Sequence, residues 1–254
     1  MVSRATKMSN LDRELWRRIV IENGVAFTEQ QFSLLNLYHD LLRQWNSKIN
    51  LISRNDEGNI WPGHILHSIS PLFRFQFPDG ITIADIGSGG GLPGVPLAIM
   101  LPNDEVIMIE SIKKKSEALK EIIARLRITN ARVVNGRAEE LSESVNHRNR
   151  FDLVVARAVA SLKELVEWSL KLADGDRGLS IKLVRGNSEV GEVPIALPAL
   201  LALKGGEIEN EVSAAARLTR GRSICSFDIH FRGIENTGLV DKKMILVSLS
   251  PRSS

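Results

Sequence analysis

The chain is poor in the groups that brace exported or metal-built proteins. It has a single cysteine, Cys225, among 254 residues. One thiol forms no internal disulfide and no thiolate zinc cluster, which suits a reducing compartment and leads us to expect a cytoplasmic protein. Long apolar runs are absent too: the longest, Pro194 to Leu203, carries two prolines and falls short of the roughly 20 residues that span a bilayer. Residues Met1 to Asn10 are polar, with two cations, and lead into no apolar stretch, so neither a signal peptide nor a membrane partner is expected. Neither sign of charge dominates. Thirty-three Lys and Arg against thirty Asp and Glu leave +3, which permits a nucleic-acid partner without requiring one. Finally, there is no Ser/His/Asp set, no pair of catalytic carboxylates and no cluster of metal-ligating residues. His64 and His67 lie three apart, but two histidines alone are a weak metal signal, so no metal is assigned.

What is present is an ordered change of periodicity. From Phe32 to Trp45 the apolar residues recur at three- and four-residue spacing, one face of an amphipathic helix, and a similar stripe runs from about Leu11 to Glu22. Residues 1–75 therefore predict a helical N-terminal extension. After Pro78-Asp79-Gly80 short apolar runs alternate with helical ones, the pattern of βαβ units around a parallel sheet, so 76–254 predict an α/β domain. Strands are expected at Ile81–Ile86, Glu105–Ile109, Ala131–Val134, Asp152–Ala156, Leu200–Leu203, Phe227–Phe231 and Met244–Leu249. Helices are expected near Gly94–Met100, Lys113–Leu126 and Leu162–Leu172, the last opened by a capping box, Ser161 with Glu164. The run Asp174 to Pro198, with a strand-like piece at Leu179 to Val184, finds no place in this scheme.

The strongest local signal is Ile83-Ala84-Asp85-Ile86-Gly87-Ser88-Gly89-Gly90-Gly91-Leu92-Pro93-Gly94, a buried strand breaking into glycines and then a helix. Glycines here let the chain turn sharply and bring backbone amides up to a ligand. Gly89, Gly91 and Gly94 satisfy the G-x-G-x-x-G dinucleotide fingerprint, whereas Asp85, Gly87, Gly89 and Gly91 satisfy the D-x-G-x-G-x-G pattern of S-adenosylmethionine enzymes. Glu110 ends the second strand, where a carboxylate accepts hydrogen bonds from ribose hydroxyls in either class. Asp85 and the pair Ala138-Glu139 after the third strand favour adenosylmethionine. An NAD(P)-dependent oxidoreductase remains as an alternative, as does a non-catalytic ribosome-associated RNA-binding protein. Arg157, just beyond the fourth strand, lies at the carboxyl edge where open α/β sheets bind ligands, and is expected to orient cofactor or substrate. Between Ile112 and Arg137 eight cations face two anions, so Lys113 to Lys115 are candidates for phosphate contacts.

These motifs together resemble the RsmG (GidB) family of 16S rRNA guanine-N7 methyltransferases, from about Phe32 to Gly206. Trp45-Asn46 with Asn50-Leu51, and His64-Ile65-Leu66 with Ser68, are similar to its helical signature. The glycine loop, Glu110-Ser111 followed by Lys113 and Lys114, Arg137-Ala138-Glu139, and Ala156-Arg157-Ala158 with Ala160-Ser161-Leu162 follow in the family's order. The resemblance implies a Rossmann-like seven-stranded S-adenosylmethionine-dependent methyltransferase sheet with a helical N-terminal extension. It also implies a cofactor site lined by Gly87, Leu92, Glu110, Ala138, Glu139 and Arg157, to which the glycine pattern adds Asp85, Gly89 and Gly91. The implied substrate is one guanine of bacterial 16S rRNA, number 527 in the standard count, presented as RNA or as the small ribosomal subunit to a monomeric enzyme. His64, Lys113, Lys114 and Lys204 are the expected RNA contacts. Two positions depart from the family pattern: His67 stands where an aspartate commonly precedes Ser68, and Gly63 where a basic residue commonly precedes His64. The family's Lys-Gly after the fifth strand is assigned to Lys204-Gly205 in preference to Lys182. Methylation at guanine N7 fits the missing acid–base machinery, because that nitrogen carries an in-plane lone pair and no proton. The requirement is then positioning rather than proton transfer, an effect that contributes about 7–11 kcal/mol when reacting atoms are held in near-attack geometry.

Overall fold

A computed structural model describes residues 10–250 apart from 145, 149, 174–176, 184–194 and 220. Two long helices come first, α1 (Asn10–Glu22) and α2 (Glu29–Asn46). α2 begins three residues before the apolar stripe because Thr28 and Gln31 form a reciprocal capping box. Short helical turns follow at Arg54–Asn59 and Ile60–Leu66, then α3 (His67–Ile69) and a turn at Ser70–Phe73. Next come β1 (Phe75–Gln76), β2 (Thr82–Ile86), α4 (Gly94–Met100), β3 (Glu105–Glu110), α5 (Lys113–Leu126), β4 (Ala131–Asn135) and α6 (Ala138–Glu143). The second half runs β5 (Leu153–Arg157), α7 (Leu162–Leu172), β6 (Ser180–Leu183), β7 (Ile195–Ala196), β8 (Ala199–Gly205), α8 (Glu209–Ala216), β9 (Ile224–Asp228) and β10 (Lys242–Ser248).

Seven strands make the main sheet in the order β4-β3-β2-β5-β8-β10-β9. The first five pair in parallel, and β10 inserts antiparallel to both β8 and β9. The central strands are apolar on both faces, as a sheet covered by helices on both sides requires. Strand order reverses on either side of β2 and β5, so the crevice beyond their carboxyl ends is the ligand position this topology creates. Lys204 lies in β8, the fifth strand of the main sheet in chain order, opposite Lys243 of β10.

The helical segment is not a free appendage. Trp16, Leu35, Tyr38, Leu42 and Trp61 belong to the same buried cluster as Ile83, Met108, Leu119 and Leu246 of the main sheet and its helices. Asn46 fixes the turn after α2: its side-chain carbonyl accepts the backbone N–H groups of Leu51 and Ile52, both at 2.9 Å. Leu51 in turn packs on Gly90, and Tyr38 donates to the Gly90 carbonyl at 2.9 Å. The N-terminal helices thus brace the glycine loop from behind.

The strand-like piece inside Asp174 to Pro198 is β6, which pairs with β1 and β7 in a small separate sheet. Residues 184–194 of that run lie outside the described residues. β9 begins and ends three residues earlier than Phe227–Phe231. Its register against β10 places Phe227 opposite Met244, and Phe231 leaves the sheet to pack on Phe73, ring centroids 5.0 Å apart.

Candidate active site

The carboxyl end of β2 turns sharply at Gly87, whose φ of +68° lies in the left-handed region. A Cβ at this position would meet Val159 Cγ2 at 2.2 Å, so glycine is needed for conformation and for space. Asp85, two residues earlier in β2, is fully buried. Its Oδ2 accepts the Gly94 N–H at 2.9 Å, tying the end of the strand to the first residue of α4, while Oδ1 has no hydrogen-bond partner. Burial pushes the Asp85 carboxyl up to about 7, partly offset by the nearby Ser88 hydroxyl, the Gly94 N–H and the charge of Arg157.

Glu110 reaches the same loop from β3. It is 5% exposed, its Oε2 accepts the Gly89 N–H at 2.8 Å and its Oε1 the Ile112 N–H at 2.7 Å. A carboxylate with two oxygens has about four acceptor positions, so capacity remains on each oxygen for a hydroxyl donor. Gly91 and Leu92 serve the loop from inside: their N–H groups both bond the Ser88 carbonyl, and the Leu92 side chain is buried in the core.

Two concavities flank this loop. The smaller, about 180 Å³, is lined by Ile86, Gly87, Ala138, Glu139, Val159 and Trp168 among others. The larger, about 720 Å³, lies beyond β5 and is lined by Asp56, Gly63, His64, His67, Arg157, Lys204 and Lys242 among others. Val159 lines both, so the two open on either side of one residue. Between β5 and that residue the chain passes through Ala158 at φ +51°, a conformation costing roughly 1–2 kcal/mol for a residue with a Cβ.

Arg157 dominates the larger cleft. Its guanidinium donates to His64 Nδ1 at 2.9 Å and to the Gly63 carbonyl at 3.4 Å. The His64 ring accepts this bond, so it is neutral with its proton on Nε2. Burial and the adjacent Arg157 charge lower its pKa to about 4. His67 is held well below its ordinary value by burial, with Arg157, Lys242 and His64 adding to the effect. Lys204 points toward the chain itself: Nζ donates to the Ala160 carbonyl and to Glu211, both at 2.6 Å, and Glu211 also accepts the Leu162 N–H. It therefore clamps the loop after β5 to α7 and α8.

The structure brings Gly87, Ala138 and Glu139 together around the smaller concavity, with Asp85, Gly89 and Glu110 beside it, and Arg157, His64 and Lys204 around the larger. Lys113 and Lys114 are exposed at the start of α5, where they line a separate groove with Trp45 and Ile49. Sequence reasoning missed Trp168, Val159, Asp56 and Lys242. Trp168 sits at the margin of the buried stripe of α7, three residues after Leu165, which reads as ordinary helix packing. Val159 lies two residues beyond Arg157 and its apolar side chain carries no chemical signal, while Asp56 and Lys242 reach the site from segments whose proximity no local pattern announces. Among the described residues no group of three or more metal-ligating side chains occurs.

The family model described as rRNA small subunit methyltransferase G matches residues 31–196, about two thirds of the chain, including the glycine loop, Glu110, Arg137 to Glu139 and Arg157. The chain belongs to this family. It is 33% identical over 191 residues to ribosomal RNA small subunit methyltransferase G of Brevibacillus brevis, covering 75% of this chain and 80% of that protein. It is 34% identical over 205 residues to the protein of that name from Lactobacillus helveticus, covering 80% and 85%. The protein of the same name from Staphylococcus aureus strain Newman is 35% identical over 180 residues, 70% of this chain and 75% of that one. Among solved structures, a mutant of MtNAS in complex with S-adenosylmethionine superposes over 94% of this chain and 84% of its own, with a TM-score of 0.52 and 14% sequence identity. That likeness is one of fold. Family membership decides between the two cofactor classes that the glycine spacing left open. The family match ends at 196, short of Gly206, so Lys204 lies beyond it.

Proposed function

We propose that the chain transfers a methyl group from S-adenosylmethionine to N7 of a guanine in small-subunit ribosomal RNA, guanine 527 of 16S rRNA in the standard bacterial count. S-adenosylmethionine is the cofactor of the family, and the site fits it. Gly87 leaves a cradle that a Cβ would fill. Asp85 Oδ1 lies buried without a partner, and Glu110 keeps free acceptor positions. Glu110 would hold the ribose hydroxyls, Ala138 and Trp168 the purine ring, and the Gly87–Gly89 backbone the remainder. When bound, the cofactor supplies a methyl group already activated on a sulfonium.

The observation that carries the reading is the pairing of these two concavities across Val159. One is glycine-lined. The other is wide and cationic, and its two histidines are both held neutral. Guanine N7 needs no proton removed, so a cleft without a poised base suits it. Arg157 is fixed by His64 and Gly63, leaving the remainder of its donor fork to orient the acceptor nucleotide. The catalytic contribution of the chain is then to hold the acceptor nitrogen in line and exclude water.

The test is transfer of labelled methyl to small-subunit particles and to protein-free 16S rRNA, followed by mapping of 7-methylguanine. Label confined to one guanine supports the proposal. Adenosylmethionine binding without transfer to either RNA overturns it and points to the non-catalytic alternative. Because fold alone serves many acceptors, the RNA assay rather than cofactor binding is decisive.

A further inference from the structure

The larger cleft holds more positive charge than it neutralises. Of its cations, Lys204 is paired with Glu211 at 2.6 Å. Arg157 and Lys242 have no carboxylate within 4.0 Å among the described residues, and the only acceptors Arg157 meets are neutral, the His64 ring and the Gly63 carbonyl. The remaining carboxylate of the lining, Asp56, stands at the rim with its side chain 45% exposed, 3.7 Å from His64 Nε2. Asp85 lies behind the cleft wall, burial holding its carboxyl up near 7. His67 is 5% exposed, lines the cleft, and its Nε2 has no hydrogen-bond partner. A desolvated guanidinium without a counter-ion, and a buried ring nitrogen without a partner, are costly features that a folded chain keeps where a ligand completes them, and half-buried Lys242 adds a second unpaired charge to the same cleft.

We propose that this cleft seats one phosphodiester of the RNA substrate, bound by Arg157 and Lys242 as charged donors and by His67 Nε2–H as a neutral one. The inference rests on the rRNA reading above and deepens it. A nucleotide whose base reaches the carboxyl ends of β2 and β5 brings its own phosphate with it, and the cleft is large enough to hold more than a base. His67 suits this role where a carboxylate would oppose it, because a neutral imidazole donates to an anion without repelling it. The other anion available to the site is the carboxylate of the methyl donor, and the two are separable by experiment.

The test compares Lys242→Gln, Lys242→Arg and His67→Ala with the unaltered protein. Methyl transfer to small-subunit particles gives KM and kcat for RNA across a salt series, and equilibrium dialysis gives Kd for adenosylmethionine. Thermal melts confirm that each variant is folded. For Lys242→Gln we expect KM for RNA to rise about tenfold and the slope of log KM against log salt to fall by about one, the signature of one lost phosphate contact. The Kd for adenosylmethionine stays within about twofold, and Lys242→Arg restores both RNA values. His67→Ala raises KM with no change of slope, because a neutral donor releases no counter-ion. Unchanged KM and slope in folded Lys242→Gln and His67→Ala overturn the proposal. So does a weakened Kd for adenosylmethionine with RNA values intact, which assigns the anion to the cofactor. A wild-type protein that binds adenosylmethionine but methylates neither RNA substrate overturns the rRNA reading itself, and this inference with it.

Discussion

Replacing Asp85 by asparagine isolates the cost of keeping a carboxyl group beneath the glycine loop. Asparagine keeps the shape and the oxygen that accepts the Gly94 N–H, and it cannot ionise. In the folded protein burial raises the Asp85 pKa from 3.8 to about 7. Between these values the unfolded chain has lost the proton and the native chain retains it, so Asp85 makes unfolding progressively easier as pH rises through that window. At about 1.4 kcal/mol for each tenfold change in proton affinity, the rise from 3.8 to about 7 amounts to about 4 kcal/mol once pH exceeds 7, and about 3 kcal/mol of it falls between pH 5 and pH 8. His64 and His67 act in the opposite sense. Their folded values are depressed, so the stability they contribute is present above the ordinary histidine value and is lost as pH falls toward about 4 in the case of His64. The total pH profile therefore mixes the two, and only the difference between wild type and Asp85→Asn isolates the carboxyl group. Urea unfolding of the ligand-free proteins from pH 5 to pH 8 measures it. We expect the difference to move in favour of Asp85→Asn by about 3 kcal/mol across that range. A difference constant to within about 0.5 kcal/mol would refute the argument, because it would mean that Asp85 titrates as in water.

Three further outcomes follow from individual contacts. Gly87→Ala, forced to φ +68° with its Cβ 2.2 Å from Val159 Cγ2, should cost about 1–3 kcal/mol of stability and weaken adenosylmethionine binding by at least about tenfold. Adding Val159→Ala should recover only part of this, since the backbone strain remains; calorimetric titration reads both. Arg157→Lys keeps the charge but loses the planar fork that bonds His64 and Gly63. Steady-state kinetics should show kcat down on the order of ten- to a hundredfold with the melting temperature little changed. Lys204→Met removes the donor shared by Ala160 and Glu211. It should lower stability by about 1 kcal/mol in urea titrations while leaving the salt dependence of RNA binding as it was; a reduced salt slope would instead make Lys204 an RNA contact.

Much of the architecture was legible because its determinants are local. The helix at Leu162–Leu172 begins where Ser161 and Glu164 form their capping box, and the parallel strands fall on their apolar runs to within a residue or two. Legibility failed where a partner far along the chain decides the outcome. β6 takes its place because Lys182 and Leu183 pair with Gln76 and Phe75, roughly a hundred residues earlier, and no pattern within Asp174 to Pro198 contains that fact. β9 was displaced because Ile229 and Phe231 are apolar for packing reasons, Phe231 against Phe73, rather than for strand alternation. The glycine loop, Glu110 and Arg157 could be named from sequence since each sits at a strand end that the motif order identifies. The setting of Arg157 could not: His64 and Gly63 are more than ninety residues away, and Lys242 arrives from the last strand of the sheet. Lys204 shows the complementary limit, a lysine expected from sequence to contact RNA, whose Nζ bonds Ala160 and Glu211 of its own chain.

The central claim is that methyl transfer goes to a ring nitrogen that needs positioning and no base. Its most direct test uses two small-subunit RNAs identical except for 7-deazaguanosine at the mapped position, where a C–H replaces the nitrogen and leaves the Watson–Crick edge intact. Both RNAs should bind with similar affinity, and only the guanosine RNA should receive labelled methyl from adenosylmethionine. Equal methylation of the two would contradict it, placing the acceptor at another atom and requiring proton-transfer chemistry that the neutral, Arg157-bound His64 does not offer.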